Sequence, residues 1–126
     1  MSSTYQPTNR SRTLADLLPN AAARRGSAGA FLFKSDAGTW EESSYDEVAA
    51  DVRALTLGLL ELGIEHGDRV AILGNTRPEW TLFDFAVMST GATVVPIYQT
   101  NSPTECQYVL EHSGARAVIV ENDDQL

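Results

Sequence analysis

The sequence is poor in cysteine and in basic residues, and each shortage excludes a class of protein. Its single cysteine, Cys106, cannot form an internal disulfide, and no other cysteine or histidine stands beside it at the spacing of a zinc site. We expect Cys106 to be a buried structural thiol, because free cysteines are among the most buried residues. One lysine, Lys34, and eight dispersed arginines leave a net charge of −8. The chain therefore has no basic stripe for binding nucleic acid.

Long apolar runs are also missing from the 126 residues. No stretch is apolar for long enough to span a membrane, and the N-terminus lacks the pattern of a signal peptide. The hydrophobic fraction of 43% and the charged fraction of 21% are typical of a globular domain with one core. We therefore expect a cytoplasmic protein.

The chain is organised around residues 69–98. Short apolar runs at 69–73 and 91–98 are rich in β-branched residues, and the segment between them is apolar on nearly every helical face. This pattern predicts a βαβ unit, and a similar run at 116–120 predicts a further buried strand. Strands that are continuously apolar are typical of a mostly parallel sheet with helices on both faces. The fold class that we predict is α/β.

The N-terminal part predicts a tail, a short helix and a hairpin. Residues 1–12 are polar and aperiodic, which predicts a disordered tail. Thr13, with Asp16 three residues on, predicts the start of a helix that Pro19 either ends or restarts through Arg25. Two strand-like runs, 30–34 and 39–43, flank the turn residues 35–38 and predict an antiparallel hairpin.

Helix starts are marked by three capping boxes, in which Ser or Thr precedes Glu by three residues. They are Ser44–Glu47, Thr76–Glu79 and Ser102–Glu105. After the first box, apolar residues recur every three or four positions and predict one buried helix face. That face comprises Val48, Val52, Leu55, Leu59 and Leu62.

The last six residues contain another helix signature. Asn122 and Gln125 have the spacing of a helix start, one residue before Leu126. A buried strand needs cover from the element that follows it. We therefore expect the sequence to be an N-terminal fragment of a longer protein.

The sequence shows no recognisable catalytic or metal site. A phosphate-binding loop needs closely spaced glycines, but only Gly74 follows the first parallel strand, and Pro78 removes a backbone donor. We expect His66 and His112 to be structural or solvated. The acidic pairs 41–42 and 123–124 are typical of solvated faces and helix caps. We assign no catalytic residue and no metal ligand.

Four residues are candidates for cofactor binding. Asn75 and Arg77 follow one predicted parallel strand, and Tyr98 and Thr100 follow the next. Open α/β sheets bind ligands at the carboxyl ends of their strands. Turn formation and helix capping are the alternative interpretation of the same residues.

Several segments, in order, resemble the AMP-forming acyl-CoA synthetases and related adenylating enzymes. The segment 44–48 is similar to their first core motif, and 87–98 is similar to their second. The segments 67–72 and 75–80 match the region between those motifs, and 96–103 is most similar to the long-chain fatty-acid branch. The resemblance extends from about Thr13 to the end of the chain.

The resemblance implies a ligase of fatty acid and lipid metabolism. It would use ATP and magnesium to convert a fatty acid to an acyl-adenylate, and would then pass the acyl group to coenzyme A. Residues 13–126 would form the first part of the large N-terminal domain. The parent enzyme would be cytoplasmic, with peripheral membrane association as an alternative location.

The family's phosphate loop, adenine and ribose motifs, magnesium-binding glutamate and catalytic lysine are not matched in this sequence. We therefore expect no bound cofactor and no ligase activity from this chain alone. The alternative is a stand-alone, non-catalytic α/β binding or interaction module. An unrelated nucleotide-binding domain is disfavoured by the missing glycine loop.

A fragment of such a fold would leave a sheet edge and apolar helix faces uncovered. Unpaired edges and apolar patches tend to associate. We therefore expect a homo-oligomer.

Overall fold

The computed structural model describes residues 11–126, so all but the last two residues of the predicted tail lie outside the described part. The chain divides into two compact units, with the boundary between Asp51 and Val52. Within residues 11–126, no helix has the length and apolar character that crossing a membrane would require.

The first unit contains a short helix and an antiparallel hairpin. A 3₁₀ turn at Leu14–Asp16 leads into α1 (Leu17–Arg25). The Asp16 carboxylate accepts the backbone N–H of Thr13 (3.0 Å), as the predicted cap requires. Pro19 does not end the helix, because it occupies the first turn, where the missing N–H has no helical acceptor. Strands β1 (Gly29–Lys34) and β2 (Trp40–Ser44) form the predicted hairpin.

Helix α2 (Tyr45–Glu61) starts at the predicted capping box. The Glu47 carboxylate accepts the backbone N–H of Ser44 (2.8 Å), and the Ser44 hydroxyl accepts the backbone N–H of Glu47 (3.2 Å). The Ser44 backbone bond, followed by the hydroxyl bond, lowers the pKa of Glu47. Val48, Val52 and Leu59 are buried, as predicted.

The prediction was wrong for Leu62, which is 82% exposed. Helix α2 ends at Glu61, so the helical period that places Leu59 on the buried face no longer applies one residue past the end. Ile64 is buried instead, at 5% exposure.

The second unit is built on a three-stranded parallel sheet. Its strands are β3 (Arg69–Leu73), β4 (Thr93–Ile97) and β5 (Ala117–Val120), in the order β4-β3-β5. The central strand is the most deeply buried, with Val70 and Ala71 at 0% exposure. Pro96 lies on the edge strand β4, where a missing N–H is tolerated. These elements confirm the predicted α/β class with an N-terminal hairpin.

Helices α3 (Pro78–Ser89) and α4 (Pro103–Ser113) follow β3 and β4. Helix α3 connects β3 to β4 on one side of β3, and α4 connects β4 to β5 on the other side. Since crossovers between parallel strands are right-handed, two connections that run in opposite directions along the sheet place their helices on opposite faces.

Only one of the two remaining capping boxes forms as predicted. In α4 the Glu105 carboxylate accepts the Ser102 N–H (2.7 Å), and the Ser102 hydroxyl accepts the Glu105 N–H (3.3 Å). The box predicted at Thr76–Glu79 was wrong, because the cap of α3 is Arg77 and its side chain makes no capping bond. Pro78 fixes the first helical position, so Glu79 lies one position too early to close a box.

Cys106 is only partly buried, contrary to prediction. It lines a groove of about 650 Å³ between α4 and the sheet, together with Ile97 and Leu110. Because Cys106 lines this groove, it is left partly accessible.

Replacing Ser44 by Ala should lower the free energy of unfolding by about 1 kcal/mol, because the Glu47 N–H loses its acceptor. Ser44→Thr keeps a hydroxyl and should retain most of the stability. Urea denaturation of both variants measures the difference. Equal losses in the two variants would show that the hydroxyl does not cap α2.

Gly91 and Gly67 offer a matched test of packing in the second unit. Both have positive φ, +83° and +85°, but a Cβ on Gly91 would lie 2.6 Å from the His66 ring, whereas one on Gly67 meets nothing within 4 Å. Gly67→Ala should lower the free energy of unfolding by about 1–2 kcal/mol, because of backbone strain alone. Gly91→Ala should lower the free energy of unfolding by about 1 kcal/mol more, because the new methyl group clashes with His66. Thermal unfolding measures the stability of both variants. Adding His66→Ala to Gly91→Ala should remove the additional loss caused by the clash, whereas adding it to Gly67→Ala should recover no stability.

Candidate functional site at the carboxyl end of the sheet

The strand order creates a gap at the carboxyl end of the sheet. From β3 the chain passes to β4 on one side, and from β4 it returns past β3 to β5 on the other side. The segments that leave β3 and β5 therefore diverge. This reversal of strand order is the position at which open α/β sheets bind ligands.

A crevice of about 230 Å³ lies at this position. Its floor is apolar and is formed by the ends of β3 and β5 and by the first turns of α3. The apolar residues that line it are Ile72, Leu73, Trp80, Phe83, Ile119 and Val120. Its rim is polar and consists of Asn75, Arg77, Glu79 and Glu121.

Glu121 connects the rim to both strands. One oxygen of its carboxylate accepts the backbone N–H of Asn75 (2.8 Å) and its side-chain amide (2.9 Å). The other accepts Nη1–H of Arg77 (3.0 Å). The Asn75 backbone bond, followed by the Arg77 bond, lowers the pKa of Glu121. The side chain is 18% exposed, so the turn after β3 is held against the end of β5 in a partly dehydrated position.

The remaining face of the Arg77 guanidinium is paired with Glu79. Arg77 donates from Nε (2.8 Å) and from Nη2 (3.3 Å) to the two oxygens of that carboxylate. Bonds to Glu79, and then to Glu121, raise the pKa of Arg77 further above its ordinary value. Arg77 lowers the pKa of Glu79 in return. Unlike Glu121, Glu79 is 54% exposed.

The structure places two of the four predicted residues in this crevice. Asn75 and Arg77 lie on its rim. Tyr98 and Thr100 lie in an exposed turn after β4, where Asn101 donates its N–H to the Tyr98 carbonyl (3.0 Å), and they do not line the crevice. The turn interpretation fits that segment.

Glu121 was missed by the sequence analysis. Glu121 comes directly after β5, and Asn75 comes shortly after β3. This shared position at the carboxyl end of a strand could have marked Glu121 as a candidate. Because 46 residues separate Glu121 from Asn75, the pairing depends on the strand order, which the sequence did not give.

The two histidines lie apart from the crevice. His66 is exposed, and His112 stacks on Tyr108 with ring centroids 5.3 Å apart. Across residues 11–126, His, Cys, Asp and Glu side chains form no group that could hold a metal ion. The crevice can therefore bind through apolar packing and through one arginine, but it offers no nucleophile paired with a base.

Curated relatives of this chain are long-chain fatty-acid ligases. Long-chain-fatty-acid–CoA ligase FadD15 of Mycobacterium bovis is 43% identical over 86 residues, which cover 68% of this chain and 14% of that protein. Long-chain-fatty-acid–CoA ligase ACSBG1 of Mus musculus is 34% identical over 119 residues, which cover 94% of this chain and 16% of that protein. The chain thus spans about one sixth or less of the length of these relatives.

Solved structures agree with the fold. Klebsiella oxytoca NpsA in complex with 3-hydroxyanthranilyl-AMSN matches with a TM-score of 0.82 and 26% identity, over 93% of this chain and 23% of that chain. The N-terminal subdomain of NpsA matches with a TM-score of 0.78 and 27% identity, over 87% of this chain and 28% of that chain. Residues 18–126 match the family described as AMP-binding enzyme. The chain belongs to the AMP-binding enzyme family.

Proposed function

We propose that this chain is the first part of an AMP-forming long-chain fatty acid–CoA ligase. Such an enzyme joins a fatty-acid carboxylate to the AMP part of ATP and then transfers the acyl group to coenzyme A. The observation that carries the proposal is the 43% identity with a mycobacterial long-chain ligase over 86 residues. The match of residues 18–126 to the AMP-binding family supports it.

The contribution of this chain would be structural. Residues 13–126 would form the start of the large N-terminal domain, and their sheet would support a substrate site completed by other residues. The described residues do not suit ATP or magnesium themselves. Gly74 stands without the neighbouring glycines of a phosphate loop, the Arg77 guanidinium already faces two carboxylates, and no described acidic cluster could hold Mg²⁺.

Asn75, Arg77, Tyr98 and Thr100 remain candidates for contact with the cofactor or substrate. All four follow carboxyl ends of parallel strands, and Asn75 and Arg77 share a crevice with Glu121. The full enzyme would take a fatty acid as substrate, with ATP, coenzyme A and magnesium, in the cytoplasm.

The test compares the protein made from the native gene, read to its own stop codon, with the 126-residue chain. Palmitate, ATP, magnesium and CoA should yield palmitoyl-CoA and AMP with the native protein and neither product with the chain alone. Mass spectrometry of the thioester and chromatography of the nucleotides measure both. A native protein that releases ADP, or makes no thioester from any fatty acid, would refute the ligase; thioester made by the chain alone would refute its structural role.

Glu121 should stabilise the second unit in a pH-dependent way. Its pKa is lower in the folded chain than its ordinary value of about 4.5. Its contribution is therefore complete above that value and is lost as the pH falls through the folded pKa. Denaturation of the wild type and Glu121→Gln should show a difference in unfolding free energy at pH 7 that shrinks below about pH 4.5.

Glu65→Gln is a suitable control for the pH series, because Glu65 is exposed and lies outside the crevice. A difference between wild type and Glu121→Gln that stays constant down to pH 3 would contradict the role given to the carboxylate.

A further inference from the structure

Helix α2 has a second apolar face, opposite its buried one. Val52 and Leu59 are buried, whereas Leu57 is 56% exposed and Leu60 is 47% exposed. Single exposed leucines are common on protein surfaces, but two that lie one helical turn apart form a continuous patch. With three exposed neighbours, all in the second unit, they form what we call the outer face of α2. The residues of this face are Arg53, Ala54, Leu57, Leu60 and Glu61.

Arg53 and Glu61 are the two charged residues of the outer face. Within residues 11–126 neither takes part in an ion pair, whereas Arg77 and Arg116 both do. They cannot pair with each other, because the stretch of helix between them is about 12 Å long. The outer face therefore carries one available positive charge and one available negative charge, at equal distances on either side of Leu57.

This spacing is self-complementary under a two-fold axis. Arg53, Leu57 and Glu61 follow one another at intervals of one helical turn and form a ridge, and the commonest helix packing aligns such ridges. In an antiparallel pair centred on Leu57, Arg53 of each copy meets Glu61 of the other, and the two Leu57 side chains meet. Leu60 then lies beside Ala54 of the other copy, a large side chain against a small one. A shift of the pair by one turn would bring Arg53 or Glu61 opposite Leu57 instead.

From this arrangement we propose that the outer face of α2 binds a second copy of the chain, as an antiparallel helix pair with its two-fold axis at Leu57. Both copies use the same surface, so the assembly closes as a dimer. The face is much smaller than the roughly 20–30 residues per side of a stable complex. Association should therefore be weak and concentration-dependent. The dimer rests on α2 alone and does not require ligase activity.

The test is sedimentation velocity of the protein made from the native gene, read to its own stop codon. With rising concentration the wild type should change from monomer to dimer, with a Kd on the order of 100 μM. The buffer contains about 150 mM salt, because a Debye length of about 8 Å screens most of the long-range repulsion between acidic chains. Another segment of the native protein is the competing occupant of the outer face, and it would keep the protein monomeric.

Two charge reversals test the pairing. Arg53→Glu and Glu61→Arg should each weaken the dimer by about tenfold, because both contacts between opposite charges become contacts between like charges. An equimolar mixture of the two variants should recover a Kd within about threefold of the wild-type value, since each chain supplies the charge that the other needs. Recovery on mixing also shows that both variants are folded. Arg24→Glu, on α1 and outside the outer face, changes the net charge equally and should leave the Kd unchanged.

Three results would overturn the proposal. A wild type that stays monomeric up to about 1 mM has no such dimer. A dimer whose Kd neither reversal changes has its interface elsewhere. Reversed variants that stay monomeric when mixed reject the antiparallel pairing of Arg53 with Glu61. A native protein without ligase activity that still dimerises in this way would refute only the proposed function.

Discussion

The second unit depends on the burial of β3 between two parallel partners. Val70 pairs with Val94 on one side and with Ala117 on the other, and it is fully buried. A strand in that position satisfies its backbone groups only if both neighbours are present. Helices α3 and α4 then cover the two faces of the sheet. Strands β4 and β5 both take their positions by pairing with that central strand.

The order β4-β3-β5 also determines where chemistry can occur. Because the chain leaves β3 toward one side and reaches β5 on the other, the ends of these two strands are adjacent while the following segments separate. Asn75 and Arg77 come from the first end and Glu121 from the second, and their hydrogen bonds close the rim of one crevice. The sheet topology thus assembles a site from residues that are far apart in the sequence.

Local features of the fold were predictable, and distant ones were not. Ser44 and Ser102 satisfy N–H groups three residues away, so their capping boxes could be recognised from spacing alone. The same spacing gave a wrong prediction at Thr76, because Pro78 occupies the first helical position and Arg77 is therefore the cap of α3. The prediction of Asn75 and Arg77 as candidates used only their position after a strand. Their partner Glu121 depends on which strands are neighbours, and no local pattern carries that information.

Because β3 is buried between two partner strands, it should be the most stable part of the second unit. Native-state hydrogen exchange measures this directly, because amides that open only on global unfolding exchange most slowly. The account predicts that the amides of Val70, Ala71 and Ile72 exchange last, with one shared opening free energy, and that edge residues of β4 and β5 exchange earlier. Exchange of the β3 amides as fast as those of the exposed turn at residues 98–101 would contradict it.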